Sequence, residues 1–313
     1  MARTTINPTL AGGFSVLVWG CAIPIAKSME DRIGLMAFLG FAFSAMSAFG
    51  IVRHLLKRER IADRKIFRDW RLYARWLCFV LHEGLLAASL ALVQRRHMPL
   101  VILLNYLWPT AIILCSVCLR AVTVTHWWSV TAGSLLVLAS IGFEVLGPHL
   151  AVPELFTSKT DCLAYLMVFV GALAWGMYSA LSRRFAQRTG GASVLPFFQA
   201  TLGTALILSF FNGGSAWSHL TLPSAALLLG YCFLLFVAYL TWDTGMRSGN
   251  LVFLSLFADL IPWLSLFTTS VSLHVAIPSH AVIAAVVLVA GAIITRMGTV
   301  QSPLSAVLDE PGF

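Results

Sequence analysis

The residues in this sequence that could do chemistry are polar side chains set inside long apolar segments. His82 and Glu83 lie in the run FVLHEGLL, Asn105 and Tyr106 lie in LLNYLWP, and Asp259 lies in LFADLIP. An ionisable or amide side chain is costly to bury in an apolar medium unless it binds a partner or a ligand. We therefore expect these residues to line a binding site or a path for a polar solute.

The carboxyl groups in these segments suggest different roles. Glu83 lies near the middle of its segment, so we expect it either to carry a proton or to be hydrogen-bonded to a neighbouring helix. Asp243 precedes Arg247 by one helical turn, a spacing at which the two charges can pair, and it is the second candidate for proton coupling. Asp259 has no basic residue at this spacing, so we predict that it contacts the substrate.

Three prolines each follow a polar or aromatic cluster by about one helical turn. Because proline has no backbone N–H, the carbonyl four residues earlier is free to bind a ligand, a water or a neighbouring helix. We predict helix kinks at these prolines, although prolines are also common in membrane helices without a functional role. The prolines and their freed carbonyls are Pro24 with Gly20, Pro109 with Asn105, and Pro262 with Ala258.

Tryptophan is abundant, with ten residues in the chain. Several lie near the ends of apolar segments, as membrane-interface anchors do, while others lie within them. Internal aromatic rings could pack the core or line a cavity for an amphipathic, charged solute. The substrate-binding residues that we predict are Trp19, His82, Asn105, Tyr106, Trp175, Tyr178, Trp242 and Asp259.

These residues must be positioned by membrane-spanning helices. Hydrophobic residues make up 59% of the chain and charged residues 11%, whereas soluble domains contain about 25% charged residues. This number of charged residues is too small to cover a water-exposed surface. Most of the protein surface must therefore face lipid. Ten apolar segments are predicted to span the bilayer, near residues 9–28, 33–53, 72–94, 98–119, 126–147, 160–182, 193–212, 222–244, 250–272 and 280–297.

The basic residues predict the orientation of the chain. The net charge is +8, but the charges cluster between apolar segments rather than on a groove-binding surface, so we expect no nucleic-acid partner. If the N-terminus is cytoplasmic, sixteen Lys and Arg residues fall on the cytoplasmic side and five on the other. The positive-inside rule therefore places both termini in the cytoplasm.

Two short sequence motifs in the first half of the chain recur in the second half. Trp19-Gly20 in the first segment reappears as Trp175-Gly176 in the sixth, and a polar residue with a following proline recurs in the fourth and ninth segments. The matching motifs lie five crossings apart, and because five is an odd number, the two halves cross the membrane in opposite directions. Many transporters are built in this way. We predict an all-α membrane protein whose ten transmembrane helices form a 5+5 inverted repeat around a central cavity. The halves are residues 1–150 and 151–298, followed by a disordered cytoplasmic tail, 299–313.

Signatures of other functional classes are missing from the sequence. It contains no H-E-x-x-H, G-x-x-x-x-G-K-[ST] or G-x-S-x-G motif, so we expect no enzyme activity, no ATP-driven mechanism, no cofactor and no metal. The single C-x-x-C has no second pair, which favours cysteines that act as small hydrophobes. We interpret the first apolar run as a retained span rather than a signal peptide. The basic connection at 53–71 is predicted to form an amphipathic surface helix.

Specific motifs resemble a known group of transporters. Asn105-Tyr106-Leu107-Trp108-Pro109, together with the runs GALAWG and YSALSRR at 171–176 and 178–184, is similar to the YddG-type amino acid exporters of the drug/metabolite transporter superfamily. The resemblance implies a bacterial inner-membrane exporter of aromatic and other neutral amino acids, with a central cavity that opens to one side at a time. His82, Asn105 and Tyr106 match this pattern in position.

We therefore expect an exporter of amino acids that works by alternating access, either proton-linked or as a facilitator. Its partners are expected to be the small-molecule substrate and the lipid bilayer, with the protein as a monomer. Efflux of amphipathic cationic drugs or other small metabolites is the alternative, and it requires an essential membrane carboxylate. An intramembrane enzyme or a receptor would require a catalytic constellation or a sensing domain.

Overall fold

The computed structural model describes residues 6–57, 68–94, 98–146, 158–185, 194–211, 221–273 and 279–302. These ranges contain twelve α-helices and two short β-strands. In chain order the elements are α1 (Pro8–Ile33), α2 (Leu35–Lys57), α3 (Trp70–Leu92), α4 (Met98–Asn105), α5 (Trp108–Cys118), β1 (Val122–Val124), α6 (Trp127–Leu146), α7 (Lys159–Arg184), α8 (Leu195–Phe211), α9 (Leu222–Ser248), α10 (Leu251–Ala258), α11 (Ile261–Leu273), α12 (Ser279–Met297) and β2 (Thr299–Gln301).

These helices fall on the ten apolar segments predicted from the sequence, and the prediction of an all-α membrane fold is confirmed. Four of them (α2, α3, α7 and α9) are long and apolar enough to cross a bilayer by length and composition, and six shorter apolar stretches accompany them. Two of the ten segments contain two helices each, α4 with α5 and α10 with α11. The predicted surface helix at 53–71 falls mainly on residues 58–67, outside the described residues.

Local sequence signals begin and end several of these helices. The side chain of Asp69 accepts a hydrogen bond from the Arg71 amide at the start of α3, and Asn250 does the same for Phe253 at the start of α10. Thr221 and Ser224 form a capping box at the start of α9. These side chains satisfy amides that have no partner within the first helical turn.

The fourth and ninth segments are interrupted at corresponding places. The break between α4 and α5 lies at Tyr106 and Leu107, and the break between α10 and α11 lies at Asp259 and Leu260. In each case a proline, Pro109 or Pro262, is the second residue of the following helix. A proline is tolerated there because the amides of the first turn have no helical acceptor.

α1, by contrast, continues without interruption through Pro24. The carbonyl of Gly20, which Pro24 deprives of its helical donor, instead accepts hydrogen bonds from Ser265 Oγ at 3.3 Å and Thr268 Oγ1 at 3.2 Å. Side chains of α11 therefore satisfy the freed backbone group, as is required away from water.

Helices from the two halves of the chain pack against each other throughout. α1 packs on α9 and α11, α3 packs on α7, α2 packs on α8, and α6 packs on α12, while α5 also packs on α7. A core rich in aromatic side chains lies where α1, α3, α5, α7 and α9 meet, and it includes Phe79, Trp108, Trp175, Tyr178 and Trp242.

Glycine allows the closest helix approach. An ideal Cβ on Gly133 of α6 would lie 2.5 Å from the carbonyl oxygen of Gly291, and one on Gly291 of α12 would lie 2.8 Å from that of Gly133. Because both contacts are with backbone, we expect Gly133→Val to force the helices apart and to cost about 1–3 kcal/mol. Thermal unfolding in detergent should show a lower midpoint.

The matched control for this change is Gly142→Ala in the same helix, because no atom of the described residues lies within 4 Å of an ideal Cβ at Gly142. Alanine favours a helix over glycine by about 1 kcal/mol, so this variant should unfold at the same temperature or slightly higher. Equal midpoints for the two variants would contradict the close approach of α6 and α12.

The segment after α12 differs from its prediction. We expected disorder from residue 299, but Thr299–Gln301 forms β2, which pairs antiparallel with β1 so that Thr123 lies opposite Val300. Gln301 Oε1 also accepts a hydrogen bond of 2.6 Å from the Leu251 amide. The order comes from partners far away in sequence, and a composition argument could not identify them. Residues 303–313 lie outside the described residues.

Candidate functional site

A central cavity of about 170 Å³ lies between the two interrupted segments. Both breaks reach it, through Asn105 and Tyr106 on one side and Ile261 on the other. α1, α3, α5, α7 and α9 supply the rest of its wall. The full lining is Trp19, His82, Glu83, Leu86, Asn105, Tyr106, Trp108, Trp175, Tyr239 and Ile261.

Aromatic rings form most of the wall. The ring of Trp19 lies 5.9 Å from that of Trp175, 6.3 Å from Trp108 and 5.5 Å from Tyr239, each in an edge-to-face arrangement. Edge-to-face packing of this kind fixes the orientation of the rings. The cavity is therefore lined by closely packed aromatic rings, and such rings can attract a cation.

Among the described residues, Glu83 is the only acidic side chain that lines this cavity. Its Oε1 accepts a hydrogen bond of 2.6 Å from the Tyr239 hydroxyl. α3 supplies the carboxyl group and α9 supplies the phenol, so the pair joins the two halves of the chain. A carboxylate held by one neutral donor keeps further acceptor capacity for a ligand.

His82 and Asn105 supply the other polar atoms. His82 Nδ1 lies 3.0 Å from the carbonyl oxygen of Gly171, and because a carbonyl only accepts, Nδ1 carries a proton and leaves Nε2 as an acceptor in the neutral ring. Its ring also lies 4.7 Å from that of Trp175. The side-chain oxygen of Asn105 is buried and has no hydrogen-bond partner among the described residues. Both atoms are thus available to donors on a ligand.

A second cavity of about 180 Å³ adjoins the first and shares Trp19, Glu83 and Tyr239 with it. The remaining lining comes from the second half of α1, the first half of α2 and the first half of α9. This cavity therefore extends away from the end of the bundle where α1 begins and α12 ends. We call that end the terminal end. The Glu83–Tyr239 pair separates the two cavities.

Asp259 was predicted to contact the substrate, but the structure places it in an ion pair. Its Oδ2 lies 2.9 Å from Nη2 of Arg296, and the two side chains are 1% and 5% exposed. Arg296 also donates to Ser255 Oγ at 3.3 Å and to the Pro109 carbonyl at 3.4 Å. Asp259 does not line the central cavity. The ion pair ties the two interrupted segments to α12.

Asp243 pairs with Arg247 as its spacing predicts, at 3.0 Å between Oδ2 and Nε. A second arginine, Arg75 of α3, lies 2.9 Å from Oδ1, and the Tyr178 hydroxyl donates to the same oxygen at 3.3 Å. Arg75 Nε also donates to Ser182 Oγ at 3.2 Å. We call these five residues the arginine cluster. It lies at the terminal end, near the start of α3 and the last turns of α7 and α9.

Five of the eight residues predicted to bind substrate line the central cavity, namely Trp19, His82, Asn105, Tyr106 and Trp175. The other three do not. Tyr178 donates a hydrogen bond to Asp243, and Asp259 forms its ion pair with Arg296. Trp242 is completely buried with its indole N–H 3.4 Å from Ser179 Oγ. Of the two candidates for proton coupling, Glu83 lines the cavity and Asp243 does not.

Sequence reasoning missed Tyr239. It lies one helical turn before Asp243 in α9, and a hydroxyl-bearing ring at that spacing faces the same side of the helix. That periodicity was the only available signal. Leu86 and Ile261 were missed because apolar residues in an apolar helix give no signal of their own.

Comparisons with known proteins agree with these features. No family model matches the chain. Three curated relatives, each named aromatic amino acid exporter YddG, are 26% identical to it. Those from Salmonella typhimurium (strain 14028s / SGSC 2262) and Escherichia coli (strain K12) match 84% of this chain and 87% of their own length. The one from Ancylobacter novellus matches 93% and 97%.

A solved crystal structure superposes on the chain with a TM-score of 0.72 at 22% identity, over 92% of this chain and 95% of that one. This likeness concerns the fold alone. The curated relatives confirm the resemblance to YddG-type exporters that the motifs indicated.

Proposed function

We propose that this chain is a bacterial inner-membrane exporter of amino acids, including aromatic and other neutral ones. The observation that carries the proposal is the central cavity, in which aromatic rings surround the carboxyl group of Glu83 at the breaks of two helices. The three relatives named aromatic amino acid exporter, each matched over most of its length, support the same conclusion.

The chemistry of the cavity fits an amino acid in two respects. Glu83, which lines the cavity together with Trp19 and Tyr239, suits a primary ammonium group through charge and ring attraction. The aromatic wall suits an apolar or aromatic side chain. The volume of about 170 Å³ is below the roughly 300–1,000 Å³ of pockets for drug-sized ligands, which favours a small metabolite over a bulky drug.

The orientation follows from the charges. Four of the sixteen basic residues assigned to the cytoplasmic side are buried in the protein, so their contacts as well as the bilayer position them. They are Arg75, Arg183, Arg247 and Arg296. The remaining twelve still outnumber the five on the other side. We therefore assign the terminal end, with both termini, to the cytoplasm.

The pattern of helix packing supports an inverted repeat of residues 1–150 and 151–298. If the first five crossings are exchanged with the last five, the contact of α1 with α9 becomes that of α7 with α3, and the contact of α5 with α7 becomes that of α11 with α1. The two helix breaks are exchanged as well. Transporters built in this way bind their substrate near the midplane and move one repeat against the other, and we propose alternating access of this kind.

Glu83 is also our candidate for proton coupling, because it lines both cavities and binds across the two halves. Asp243 does not line either cavity and is already paired with two arginines. If protons are coupled to transport, Glu83 is therefore the more suitable carrier.

The proposed function is tested by counterflow of labelled phenylalanine into proteoliposomes that contain only this protein, competed against a panel of amino acids and organic cations. We expect saturable uptake that neutral and aromatic amino acids inhibit. Inhibition by amphipathic cations with none by any amino acid would establish the alternative, drug efflux.

A further inference from the structure

The second cavity adjoins the carboxyl group that we assign to the ammonium group of the substrate. It is about as large as the central cavity, at about 180 Å³ against about 170 Å³. Both members of the Glu83–Tyr239 pair line it, and so does Trp19. A substrate whose ammonium group binds Glu83 therefore lies at the boundary of the two cavities, and its remaining groups can extend into either one.

One face of α2 lines the second cavity along its length. Phe38, Ala42 and Met46 follow one another at intervals of four residues, so they lie on the same side of the helix, and all three line the cavity. Their exposed fractions are 4%, 1% and 1%, so this face points into the protein and not toward lipid. Eight residues of helix correspond to about 12 Å, which is long enough to accommodate an aromatic ring.

The composition of this wall suits a flat apolar group. The ring of Phe38 lies 5.6 Å from that of Tyr231, and aromatic rings of this kind form favourable edge-on or offset contacts with a further ring. Met46 adds a flexible thioether, which adapts to aromatic groups. Ala42 lies between Phe38 and Met46, and its short side chain leaves space that a larger residue would fill.

The two cavities differ in polarity. His82, Asn105 and Tyr106 give the central cavity several polar atoms. In the second cavity, Tyr231 is the one described residue that adds a polar side chain beyond those shared with the central cavity. Because polar groups are costly to bury among apolar ones, the polar end of an amino acid suits the central cavity and an apolar side chain suits the second.

We propose that the second cavity is the side-chain pocket of the transporter and binds the aromatic or large apolar side chain of an amino acid held by Glu83. An ammonium group that takes the place of the Tyr239 hydroxyl on Glu83 frees the Tyr239 ring to turn aside, which joins the two cavities. A small side chain stays within the central cavity and gains nothing from the pocket. Ala42 and Met46 then determine the largest ring that is accepted. This inference rests on the proposed function, because it takes an amino acid as the substrate.

Ala42→Leu tests the pocket by filling it. The readout is counterflow of labelled alanine into proteoliposomes that contain only this protein, inhibited by unlabelled phenylalanine or alanine. In the wild type, phenylalanine should inhibit at a concentration about tenfold lower than alanine, because burial of its ring is favourable. In Ala42→Leu this ratio should fall to about twofold or less, while alanine counterflow continues. A ratio of two inhibitors does not depend on how much protein is folded.

Met46→Ala tests the same pocket in the opposite direction. It removes most of a long side chain from the wall, so a larger ring gains room. Inhibition of labelled phenylalanine counterflow by 2-naphthylalanine, relative to phenylalanine, should be about fivefold stronger than in the wild type. Misfolding does not produce a gain of affinity for a larger ring, so this variant decides the matter if Ala42→Leu fails to fold.

The matched control is Ala48→Leu. Ala48 lies in the same helix but is exposed, so the added volume does not enter the second cavity, and both ratios should equal those of the wild type. Equal inhibition by phenylalanine and alanine in the wild type, wild-type ratios in folded Ala42→Leu or Met46→Ala, or the same change in Ala48→Leu would overturn the side-chain pocket alone. Absence of inhibition by any amino acid in the wild type would overturn the proposed function itself, and the pocket with it.

Discussion

Glu83→Gln is expected to lower the counterflow of phenylalanine by about thirtyfold or more. The change keeps the size of the side chain and removes the one carboxyl group that the described residues place on the cavity wall, so an entering ammonium group would be desolvated without that opposite charge. Removing one partner of a buried, hydrogen-bonded charge pair costs about 2–5 kcal/mol, and each 1.4 kcal/mol corresponds to about tenfold. The measurement is the initial rate of counterflow at equal amounts of reconstituted protein.

Tyr239→Phe is the matched control for Glu83→Gln. It removes the hydroxyl that donates to Glu83 at 2.6 Å and keeps both the carboxyl group and the ring. A hydrogen bond to a charged group contributes about 1.5–3 kcal/mol, part of which water or substrate would replace, so this variant should lose less activity than Glu83→Gln. If Glu83→Gln transports phenylalanine at the wild-type rate, Glu83 does not bind the ammonium group.

Asp259→Ala is expected to destabilise the protein by about 3–5 kcal/mol, because it leaves the buried guanidinium group of Arg296 without its carboxylate partner. The pair is 2.9 Å long and almost completely buried. Arg296 also binds the Pro109 carbonyl and Ser255, so the loss should loosen the packing around both helix breaks. Thermal unfolding of the purified protein in detergent measures the effect as a lower midpoint.

The double variant Asp259→Leu with Arg296→Met distinguishes the effect of an unpaired buried charge from the effect of lost packing. Replacing a buried ion pair by apolar residues of similar volume is often neutral or stabilising, so the double variant should recover most of the stability lost in Asp259→Ala. A double variant that unfolds at the same temperature as Asp259→Ala would show that the unpaired charge was not the cause.

The crossings and the helix breaks could be predicted because their causes are local. A run of about 20 apolar residues is long enough to span a bilayer, and a proline alters the backbone within one turn of itself. The two breaks accordingly lie beside Pro109 and Pro262. At Pro24 the helix α1 continues, and the freed carbonyl of Gly20 is bound by Ser265 and Thr268 of a neighbouring helix, which is one of the partners that the sequence predicts.

The ionic partners could not be predicted, because they depend on how helices rotate and pack. Asp243 was correctly paired with Arg247 in its own helix, but Arg75 comes from a helix 168 residues away in sequence. Asp259 was assigned to the substrate because its own helix offers no cation, yet Arg296 reaches it from α12. A buried carboxyl group therefore indicates that a partner exists without indicating which one. Only the packed structure separates Glu83, which faces the cavity, from the two aspartates that are already paired with arginines.

The central claim, a cavity that binds a zwitterionic amino acid, is tested most directly with three molecules that share one phenyl ring. Phenylalanine carries both charges, phenethylamine lacks the carboxylate, and 3-phenylpropionate lacks the ammonium group. Each is measured as an inhibitor of labelled phenylalanine counterflow into proteoliposomes that contain only this protein. We predict that phenylalanine inhibits most strongly and that 3-phenylpropionate, which cannot bind Glu83, inhibits least. Inhibition by phenethylamine that equals or exceeds that by phenylalanine would contradict the account and would instead support a transporter of organic cations.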